Sequence, residues 1–586
     1  MASSEDGKLL VAAIDFGTAY TGYAFSMRTD FKTNPLKIEI NSWSGEGIEM
    51  LSYKTPSSIL LKSDKTFHSF GYTAEEKYAE LAGNDQHSDW YYITKFKMKL
   101  LYKEKIDRNC EIETIDGKKI SGMDVISMAL KFVTGHLMSS LEKNGLGVRL
   151  EDIFWVITVP AIWSDAAKQF TREAAEKIGI KDDSLIFAYE PESAAIYCRY
   201  VPLSGAEIAS GTAAFTKGKT LMIVDVGGGT ADISVLEIED KDSLKIVERA
   251  TGGPWGGVTV DQEFEHFLNC FWGEAVMEEY KKEYFSDYLL LIRSFENKKR
   301  GIDLESQENV PLSFRLTRNF RKIYQDKTGK KFKDCAEDNQ FNKHVVMDGY
   351  TMNVNSDYAY DTIFKLVVDS IVEASKNILE KHSGGKKVSA IILVGGMSQL
   401  QPFVNEMKKQ CKVPVYVPTD AGIAVLKGAV IFGHNKNVIK SRVCKYTYGV
   451  RTMRKFDSSY DERKKVHQEG DDWAKDCFKV FYEANSPIRL GDKREHILYD
   501  TFKDSSRTGR RTKPIKLDLF ISTEPQPRYV TDESCRSLGQ ICINPPTGGF
   551  PEVWEGKVEL EFAGTEIVGR VIDDFDTTTV RFDYMV

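Results

Sequence analysis

The chain has 586 residues, of which 42% are hydrophobic and 28% are charged, and its formal net charge is −7. This length predicts two to four domains with large cores, and the composition is ordinary for a soluble globular protein. The negative charge argues against general binding to nucleic acid or to an anionic membrane surface.

The cysteines and the start of the chain indicate a cellular compartment. Nine cysteines are scattered singly between Cys110 and Cys542, without a CxxC pair. Such a pattern favours reduced thiols over a disulfide framework or a zinc site. The first residues, MASSEDGK, lack the features of a secretory signal, and no apolar run is long enough to span a bilayer. We therefore expect a cytoplasmic protein, with the nucleus as a second location and no membrane partner.

The first predicted element is a strand–turn–strand hairpin. Leu9–Ser26 reads LLVAAIDFGTAYTGYAFS, in which an apolar strand runs into Asp15, then Gly17 and Thr18, before a strand-like pattern returns. A glycine after a strand lets backbone N–H groups approach an anion closely. A carboxylate at the strand end can hold a divalent cation or its waters. The pattern therefore indicates a site for phosphate and metal.

Two later segments of this half carry candidate site residues. The segment Ser184–Tyr197 places Glu190 at a strand end, directly before Pro191 and a helix of small residues. A carboxylate there can point into a cleft, or it can simply favour the N-terminal end of the helix dipole. The segment Tyr91–Leu101 carries three alternating lysines, the usual pattern of a solvated face: Lys95, Lys97 and Lys99.

A second hairpin repeats the first pattern. Leu221–Ser234 reads LMIVDVGGGTADIS, with Asp225 at the strand end, three glycines, Thr230 and Asp232. Taken alone, this stretch is equally well explained as a tight glycine turn. Two such hairpins about two hundred residues apart, however, suggest a duplicated fold whose two lobes face one ligand.

Three further elements follow in the second half. Val388–Leu400 is a strand that runs into a Gly-Gly turn, and Thr419–Phe432 has the small residues of a tightly packed helix. Asp287–Asp303 has helical spacing, and three of its charged residues share one face at i, i+3 and i+4. A surface ion-pair cluster is the default explanation for those three residues: Glu296, Lys299 and Arg300.

Six motifs in chain order, IDFGTAY, ITVPAIW, YEPESAA, VDVGGGTADIS, WGG and LVGG, resemble those of the actin-like ATPases. The nearest resemblance is to the seventy-kilodalton heat-shock chaperone family, in its divergent member-12 (12A/12B-like) group. It implies an α/β fold with a two-lobed, ribonuclease H-like duplicated ATPase domain followed by a β-sandwich domain. The implied boundaries are 1–215 for the first lobe, 216–440 for the second, with a helix near 420–433 returning to the first lobe, and 441–586 for the β-sandwich without a helical lid.

The resemblance also implies cofactors and roles. ATP or ADP would bind with Mg²⁺, which Asp15 and Asp225 would hold mostly through its waters. Lys95, Glu190 and Asp232 would position the water that attacks the γ-phosphate, with two threonines, Thr18 and Thr230, near that phosphate. The implied nucleotide-binding residues, which cradle the phosphates or clasp the adenosine, are Gly17, Thr18, Ala19, Tyr20, Gly227, Gly228, Gly229, Thr230, Gly256, Gly257, Glu296, Lys299, Arg300, Asp303, Gly395, Gly396, Met397 and Gln399.

Several positions depart from the family pattern. Ala19 replaces the usual second threonine of the first turn, and Val258 replaces an acidic residue after the Gly256-Gly257 pair. After the third turn, Met397 and Gln399 stand where the family has a serine and an arginine that flanks the adenine. These changes bear on nucleotide affinity and base selectivity.

The chain after about Ser441 has short β-rich runs such as Lys557–Phe562 (KVELEF), which alternate in the manner of half-exposed strands. This part resembles the family's substrate-binding β-sandwich, so we expect a protein or other ligand there. The connection Gly433–Arg442 (GHNKNVIKSR) is polar and lacks the leucine-rich linker that couples the family's domains. We therefore do not expect ATP-driven closing over an unfolded peptide.

The main hypothesis is an ATP-binding, slowly hydrolysing, Mg²⁺-dependent and chaperone-like stress-response protein, with a nucleotide-exchange factor as a partner. A non-enzymatic nucleotide-sensing scaffold is the alternative. A small-molecule kinase on the same fold is disfavoured, because the sandwich and the adenosine helix are of the chaperone type.

Overall fold

The computed structural model describes residues 7–585 except 46–51, 99, 101–105, 205–213, 241, 303, 305–309, 336–340, 385, 460–464, 469–470, 503–507, 563, 574–576 and 582–583. Within these residues no helix is both long and apolar enough to cross a bilayer.

The first lobe is built on a sheet with the strand order β11-β10-β1-β2-β3, and β4 also pairs with β2. Two smaller sheets, β6-β5-β7 and β8-β9, lie outside it. The strands are β1 (Leu10–Phe16), β2 (Tyr20–Met27), β3 (Glu39–Ile40), β4 (Thr55–Pro56), β5 (Ser58–Leu61), β6 (Phe67–Phe70), β7 (Tyr91–Thr94), β8 (Glu111–Glu113), β9 (Lys119–Ser121), β10 (Ile153–Val159) and β11 (Leu185–Tyr189). The helices are α1 (Arg28–Thr33), α2 (Tyr72–Gly83), α3 (Gly122–Lys143), α4 (Asp165–Lys177) and α5 (Glu190–Cys198).

The second lobe is built on a sheet with the order β12-β20-β19-β13-β14-β15-β21-β25, beside a small sheet β16-β18-β17. Its strands are β12 (Leu203–Ser204), β13 (Thr220–Val226), β14 (Ala231–Asp240), β15 (Ser243–Gly253), β16 (Leu312–Arg315), β17 (Val345–Asp348), β18 (Thr351–Val354), β19 (Val388–Val394), β20 (Val415–Pro418) and β21 (Ile439–Val443); β25 is contributed from further along the chain. Its helices are α6 (Gly257–Trp272), α7 (Glu274–Glu283), α8 (Phe285–Lys298), α9 (Arg318–Thr328), α10 (Ser356–Ala359), which continues as a π-helix at Tyr360–Phe364, α11 (Lys365–Lys381), α12 (Gln401–Cys411) and α13 (Ala424–His434).

The two lobes share one topology. In each, an antiparallel hairpin continues into a third antiparallel strand on one side, as β1-β2-β3 and β13-β14-β15. On the other side each hairpin meets two parallel strands, β10-β11 and β19-β20. The first strands are buried along their whole length because both faces of each sheet are covered. This repeat confirms the predicted duplication and the two glycine-turn hairpins.

Helix α13 packs in an apolar cluster with residues of both sheets. It crosses α5 so closely that a Cβ atom at Gly428 would lie 1.7 Å from the carbonyl oxygen of Ser193. Its last turn reaches the first-lobe sheet, where a Cβ at Gly433 would lie 2.5 Å from Val11. Small residues on α13 therefore permit a close crossing between the two sheets, and one apolar cluster there contains residues of both lobes.

The chain from β22 onward forms a β-sandwich, as predicted. One sheet has the order β23-β24-β22-β27-β28 and the other β26-β29-β30-β31. Residues such as Val450, Leu519 and Val558 from both sheets form a single core. The strands are β22 (Thr447–Lys455), β23 (Lys465–Gln468), β24 (Asp471–Tyr482), β25 (Pro487–Arg489), β26 (Lys493–Thr501), β27 (Ile515–Ser522), β28 (Cys535–Ile543), β29 (Val553–Phe562), β30 (Ile567–Ile572) and β31 (Thr577–Arg581).

The polar connection between the lobes and the β-domain begins at the end of α13, passes through a 3₁₀ turn at Lys436–Val438 and ends in the strand β21. β21 pairs in parallel with β15 and antiparallel with β25, so the connection continues the second-lobe sheet into the β-domain. Its Arg442 forms a buried ion pair with Glu192 of α5 at 2.6 Å and donates to the carbonyl of Gly564 at 3.1 Å. The connection is therefore fixed to the first lobe, the second lobe and the β-domain at once.

The β-domain also contacts the first lobe directly. Lys168 of α4 donates to the carbonyl of Thr565. The Tyr584 amide donates to the Gln169 side chain at 2.7 Å, and Met585 is buried in the apolar core of the first lobe. Met585, the last described residue, is thus part of the same apolar core as residues of β1 such as Leu10.

Candidate active site

The two glycine turns meet between the lobes. A Cβ atom at Gly229 would lie 2.5 Å from the Thr18 hydroxyl oxygen, and one at Gly228 would lie 2.5 Å from the Cβ of Ala19. Any larger residue would separate the turns, so glycine is required for this approach. In the first turn, a Cβ at Gly17 would lie 2.2 Å from the carbonyl oxygen of Tyr20.

The start of α6 supports the second turn. The amide of Gly257 donates to the Gly227 carbonyl at 3.1 Å, and the Val258 amide donates to the Gly228 carbonyl at 2.7 Å. A Cβ at Gly256 would lie 2.5 Å from the backbone of Gly229. Val258 thus contributes its backbone amide here.

Asp15 lies at the end of β1 with both carboxylate oxygens engaged. Lys54 Nζ is 2.6 Å from Oδ2, and the Thr158 hydroxyl donates to Oδ1 at 2.9 Å. Burial alone would raise the pKa of this carboxyl, but Lys54, Lys97 and Thr158 together hold it below its ordinary value. Asp15 is therefore a carboxylate in the folded protein. Lys54 and Thr158 were not among the residues predicted from sequence.

The lysine that reaches this carboxylate cluster is Lys97, and the predicted Lys95 lies elsewhere. Lys97 Nζ is 2.9 Å from Glu190 Oε1, and its side chain is only 2% exposed. Lys95 is 40% exposed and lies 3.5 Å from Asp261. β7 ends at Thr94 and Lys95 has φ of +53°, so the chain turns and the alternation of a strand no longer applies. Lys97 was expected on a solvated face, and that expectation is wrong.

Glu190 begins α5, directly after β11, as its position before Pro191 predicted. Burial raises the pKa of its carboxyl, against the opposing effect of Lys97. The same lysine lies 5.0 Å from the centre of the Trp163 ring, which shields the pair from water.

Asp225 and Asp232 face each other across the β13–β14 hairpin. Burial, followed by the charges of Glu190, Asp232 and Asp15, raises the pKa of Asp225 well above its usual range. Burial and Glu190 also raise the pKa of Asp232 to about 7, although this carboxylate accepts a hydrogen bond from the Ile162 amide at 3.2 Å. Burial is the largest cause of both raised pKa values, and the negative charges of the neighbouring carboxylates add to it.

The excess of acidic side chains at this site fits a divalent cation. Asp15, Glu190, Asp225 and Asp232 are four acids against two lysines. Within the described residues, no three histidine, cysteine, aspartate or glutamate side chains converge on one ion position. Mg²⁺ suits such a site because it keeps several waters and takes only one or two carboxylates besides phosphate oxygens.

The residues expected to clasp the adenosine are only partly brought together. α8 ends at Lys298, and Lys299 begins a 3₁₀ turn, where its buried amine pairs with Glu296 and, at 2.8 Å, with Asp261. Asp261 therefore contacts both Lys299 and Lys95, and sequence reasoning missed it. The Arg300 side chain and Asp303 lie outside the described residues.

The third glycine turn lies behind the metal candidate Asp225. Gly395 has φ of +86°, and a Cβ there would lie 2.6 Å from Asp225 Oδ1. After Gly396, Met397 is buried in the apolar core of the second lobe, whereas Gln399 is exposed. Met397 therefore serves as a core residue.

Comparison with known proteins identifies the family. A family model described as Hsp70 protein matches residues 87–339. The human protein "Heat shock 70 kDa protein 12A" is 30% identical over 99% of this chain and 92% of its own length. This chain belongs to the 70-kDa heat-shock protein family. Human heat shock 70 kDa protein 12B is 29% identical, over 98% of this chain and 90% of its own length.

Solved structures that align with this chain include MreB5 of Spiroplasma citri bound to ADP and bound to AMPPNP. Each aligns with a TM-score of 0.43, at 15% and 14% identity, over 73% of this chain. The alignments cover 97% and 96% of those chains.

The family motifs predicted the residues of the glycine turns but not their partners. Lys54, Lys97 and Asp261 lie in none of the six motifs, and Thr158 lies within ITVPAIW without having been singled out. Each of the four contacts a residue distant in sequence. Lys54 directly precedes Thr55–Ser58 (TPSS), and nothing in that local sequence indicates a partner for it.

Proposed function

We propose that this 70-kDa heat-shock family member binds ATP and hydrolyses it slowly with Mg²⁺. The observation that supports the proposal is a group of four acids and two lysines, buried or half-buried, beside two facing glycine turns. The proposal keeps the division into lobes at 1–215 and 216–440 and a β-domain at 441–586. It also includes a cytoplasmic location and a chaperone-like role in stress.

In this proposal the chain binds the phosphates from both lobes. The backbone amides of the turns at 17–20 and 227–230 would face the phosphate oxygens, as glycine-rich turns do elsewhere. Asp15 and Asp225 would hold Mg²⁺ through its waters, and the ion would neutralise charge on the phosphates. Thr18 and Thr230, both buried, would lie near the terminal phosphate.

The remaining residues would orient a water molecule. Lys97 fixes Glu190 through a buried ion pair, so the carboxylate has one defined position. Asp232 has a pKa of about 7, which suits a group that accepts a proton from water near neutral pH. Positioning and charge neutralisation are sufficient for phosphoryl transfer, and no covalent step is required.

The β-domain would bind a protein or another ligand, and a nucleotide-exchange factor would act on the lobes. The second candidate function is a scaffold that senses nucleotide without turning it over. The buried ion pair between Arg442 and Glu192 favours the scaffold. Glu192 is two residues from Glu190, so this ion pair fixes the connection to the β-domain close to the proposed site.

Titration calorimetry of ATP and ADP with Mg²⁺, with phosphate release followed in parallel, tests these alternatives. Asp225→Asn removes one of the two carboxylates proposed to hold Mg²⁺ and should abolish turnover. Asp240→Asn, at the exposed end of the same hairpin, is the matched control and should behave as the wild type.

The outcomes separate the two functions. Binding with turnover that is lost only in Asp225→Asn supports the ATPase. Binding without turnover supports the scaffold. Absence of binding in the wild type would overturn both, and unchanged turnover in Asp225→Asn would overturn the assignment of the metal site.

A further inference from the structure

Lys54 occupies a position that the catalytic proposal does not explain. Its Nζ lies 2.6 Å from Asp15 Oδ2, and its side chain is 22% exposed against 7% for that of Asp15. A short, largely buried contact of this kind is a charge-assisted hydrogen bond and not a passing surface ion pair. The Lys54 ammonium group therefore already contacts one oxygen of Asp15, which is one of the two carboxylates proposed to hold Mg²⁺.

The local structure directs Lys54 to this contact. The Lys54 amide donates to the Ser52 hydroxyl oxygen at 3.3 Å, and that hydroxyl donates to the Lys54 carbonyl at 2.7 Å. Gly22 lies opposite Asp15 in the β1–β2 register, and a Cβ there would lie 3.0 Å from Lys54 Cγ. Because Gly22 has no side chain, the lysine stem passes across the hairpin to reach Asp15.

The charges around Asp15 define what this lysine does. Lys97 is engaged with Glu190, so Lys54 is the cation that neutralises Asp15 directly. The Thr158 hydroxyl takes the other oxygen of Asp15. A Mg²⁺ ion whose waters reach Asp15 would share that carboxylate with an ammonium group, and the two positive charges would repel each other.

We propose that Lys54 is a built-in counter-cation on Asp15 that supplies part of the positive charge otherwise brought by Mg²⁺. This inference rests on the proposed nucleotide-binding function. Its consequence is that nucleotide binding by this chain depends only weakly on Mg²⁺. The dependence is expressed as the ratio of the Kd without Mg²⁺ to the Kd with saturating Mg²⁺, here called the magnesium ratio.

Calorimetric titration with AMPPNP, once with Mg²⁺ and once with EDTA, measures the magnesium ratio without hydrolysis. The wild type should bind under both conditions with a ratio below about 10, whereas Lys54→Gln should raise the ratio at least about tenfold, the scale of a coupling between two bound ligands. Lys54→Arg keeps the positive charge and should retain the wild-type ratio. Lys62→Gln removes an exposed lysine that follows β5 and should also leave it unchanged.

Each outcome supports or overturns the inference. An unchanged ratio in Lys54→Gln, or the same raised ratio in Lys54→Arg, would overturn it. If Lys54→Gln fails to fold, the wild type alone decides, because binding that is seen only with Mg²⁺ would overturn the inference and leave the proposed function intact. A wild type that binds under neither condition would overturn both.

Discussion

At the scale of single residues, the site depends on one buried ion pair. Lys97 is almost entirely removed from water, and a buried ammonium is tolerated only with a partner that supplies charge and hydrogen bonds. Glu190 is that partner, and its own pKa is raised by burial. Each residue therefore offsets the free-energy cost of burying the charge of the other, and we expect the loss of either one to disturb both.

We predict different effects for two neighbouring lysines. Lys97→Met leaves Glu190 buried without its cation and should cost about 3–5 kcal/mol of stability, together with loss of turnover. Lys95→Met removes a largely exposed contact and should cost less than about 1 kcal/mol. Thermal unfolding and phosphate release measure both effects. Loss of turnover in Lys95→Met with normal turnover in Lys97→Met would show that the wrong lysine has been assigned.

At the scale of elements, the crossing of α5 and α13 positions the site. α5 carries Glu190 at its first residue and Glu192 in its first turn, so any displacement of this helix moves both carboxylates. The crossing is close because Gly428 faces the Ser193 carbonyl without a side chain. Packing at this contact therefore controls the geometry of Glu190, which lies within one helical turn of Ser193.

We predict that Gly428→Ala is destabilising, although alanine is the better helix former. Its Cβ would lie 1.7 Å from the Ser193 carbonyl oxygen, so α5 must shift, at a cost of about 1–3 kcal/mol. Turnover should fall as well, because α5 carries Glu190. Gly422→Ala, which meets nothing within 4 Å, is the control for thermal unfolding and turnover. Equal stability of the two variants would contradict the role given to this crossing.

The sequence predicted elements better than contacts. The two Asp-x-Gly hairpins followed from local patterns, because an apolar strand, a carboxylate and glycine are adjacent in the chain. The α13 helix was predicted from its small residues. Lys54 and Lys97 could not be predicted, because their roles depend on acids that other elements bring to them. The alternation rule failed for Lys97 because the chain leaves the strand at Lys95.

At the scale of the whole molecule, the polar connection links all the parts. Because the connection is polar and lacks the leucine-rich linker, ATP-driven closing over an unfolded peptide is not expected from the sequence. A polar residue of the connection holds the parts together instead. The Arg442 side chain is buried against Glu192 of the first lobe, and its guanidinium also donates to the carbonyl of Gly564 in the β-domain. The pairing of β21 with β15 supplies the remaining hydrogen bonds. Coupling in this chain therefore depends on a strand and an ion pair.

We predict that Arg442→Gln releases the β-domain from the lobes. The change leaves Glu192 buried without its cation, at a cost of about 3–5 kcal/mol. Solution scattering should then show a larger radius of gyration, and hydrogen exchange should increase in β21. Arg489→Gln alters an exposed arginine that pairs through its backbone with Ser441 of β21, and it should leave both measurements unchanged. A compact scattering profile in Arg442→Gln would contradict the prediction.

The burial of Met585 in the first lobe has a consequence for biosynthesis. Tyr584 is 415 residues from Gln169, which accepts its amide hydrogen bond. A ribosome adds about 5–20 residues per second, so the first lobe would wait roughly 20–80 s for this partner. During that interval the apolar surface that later covers Met585 is exposed to other nascent chains. We therefore expect the first lobe to finish folding only after almost all of the chain has been translated.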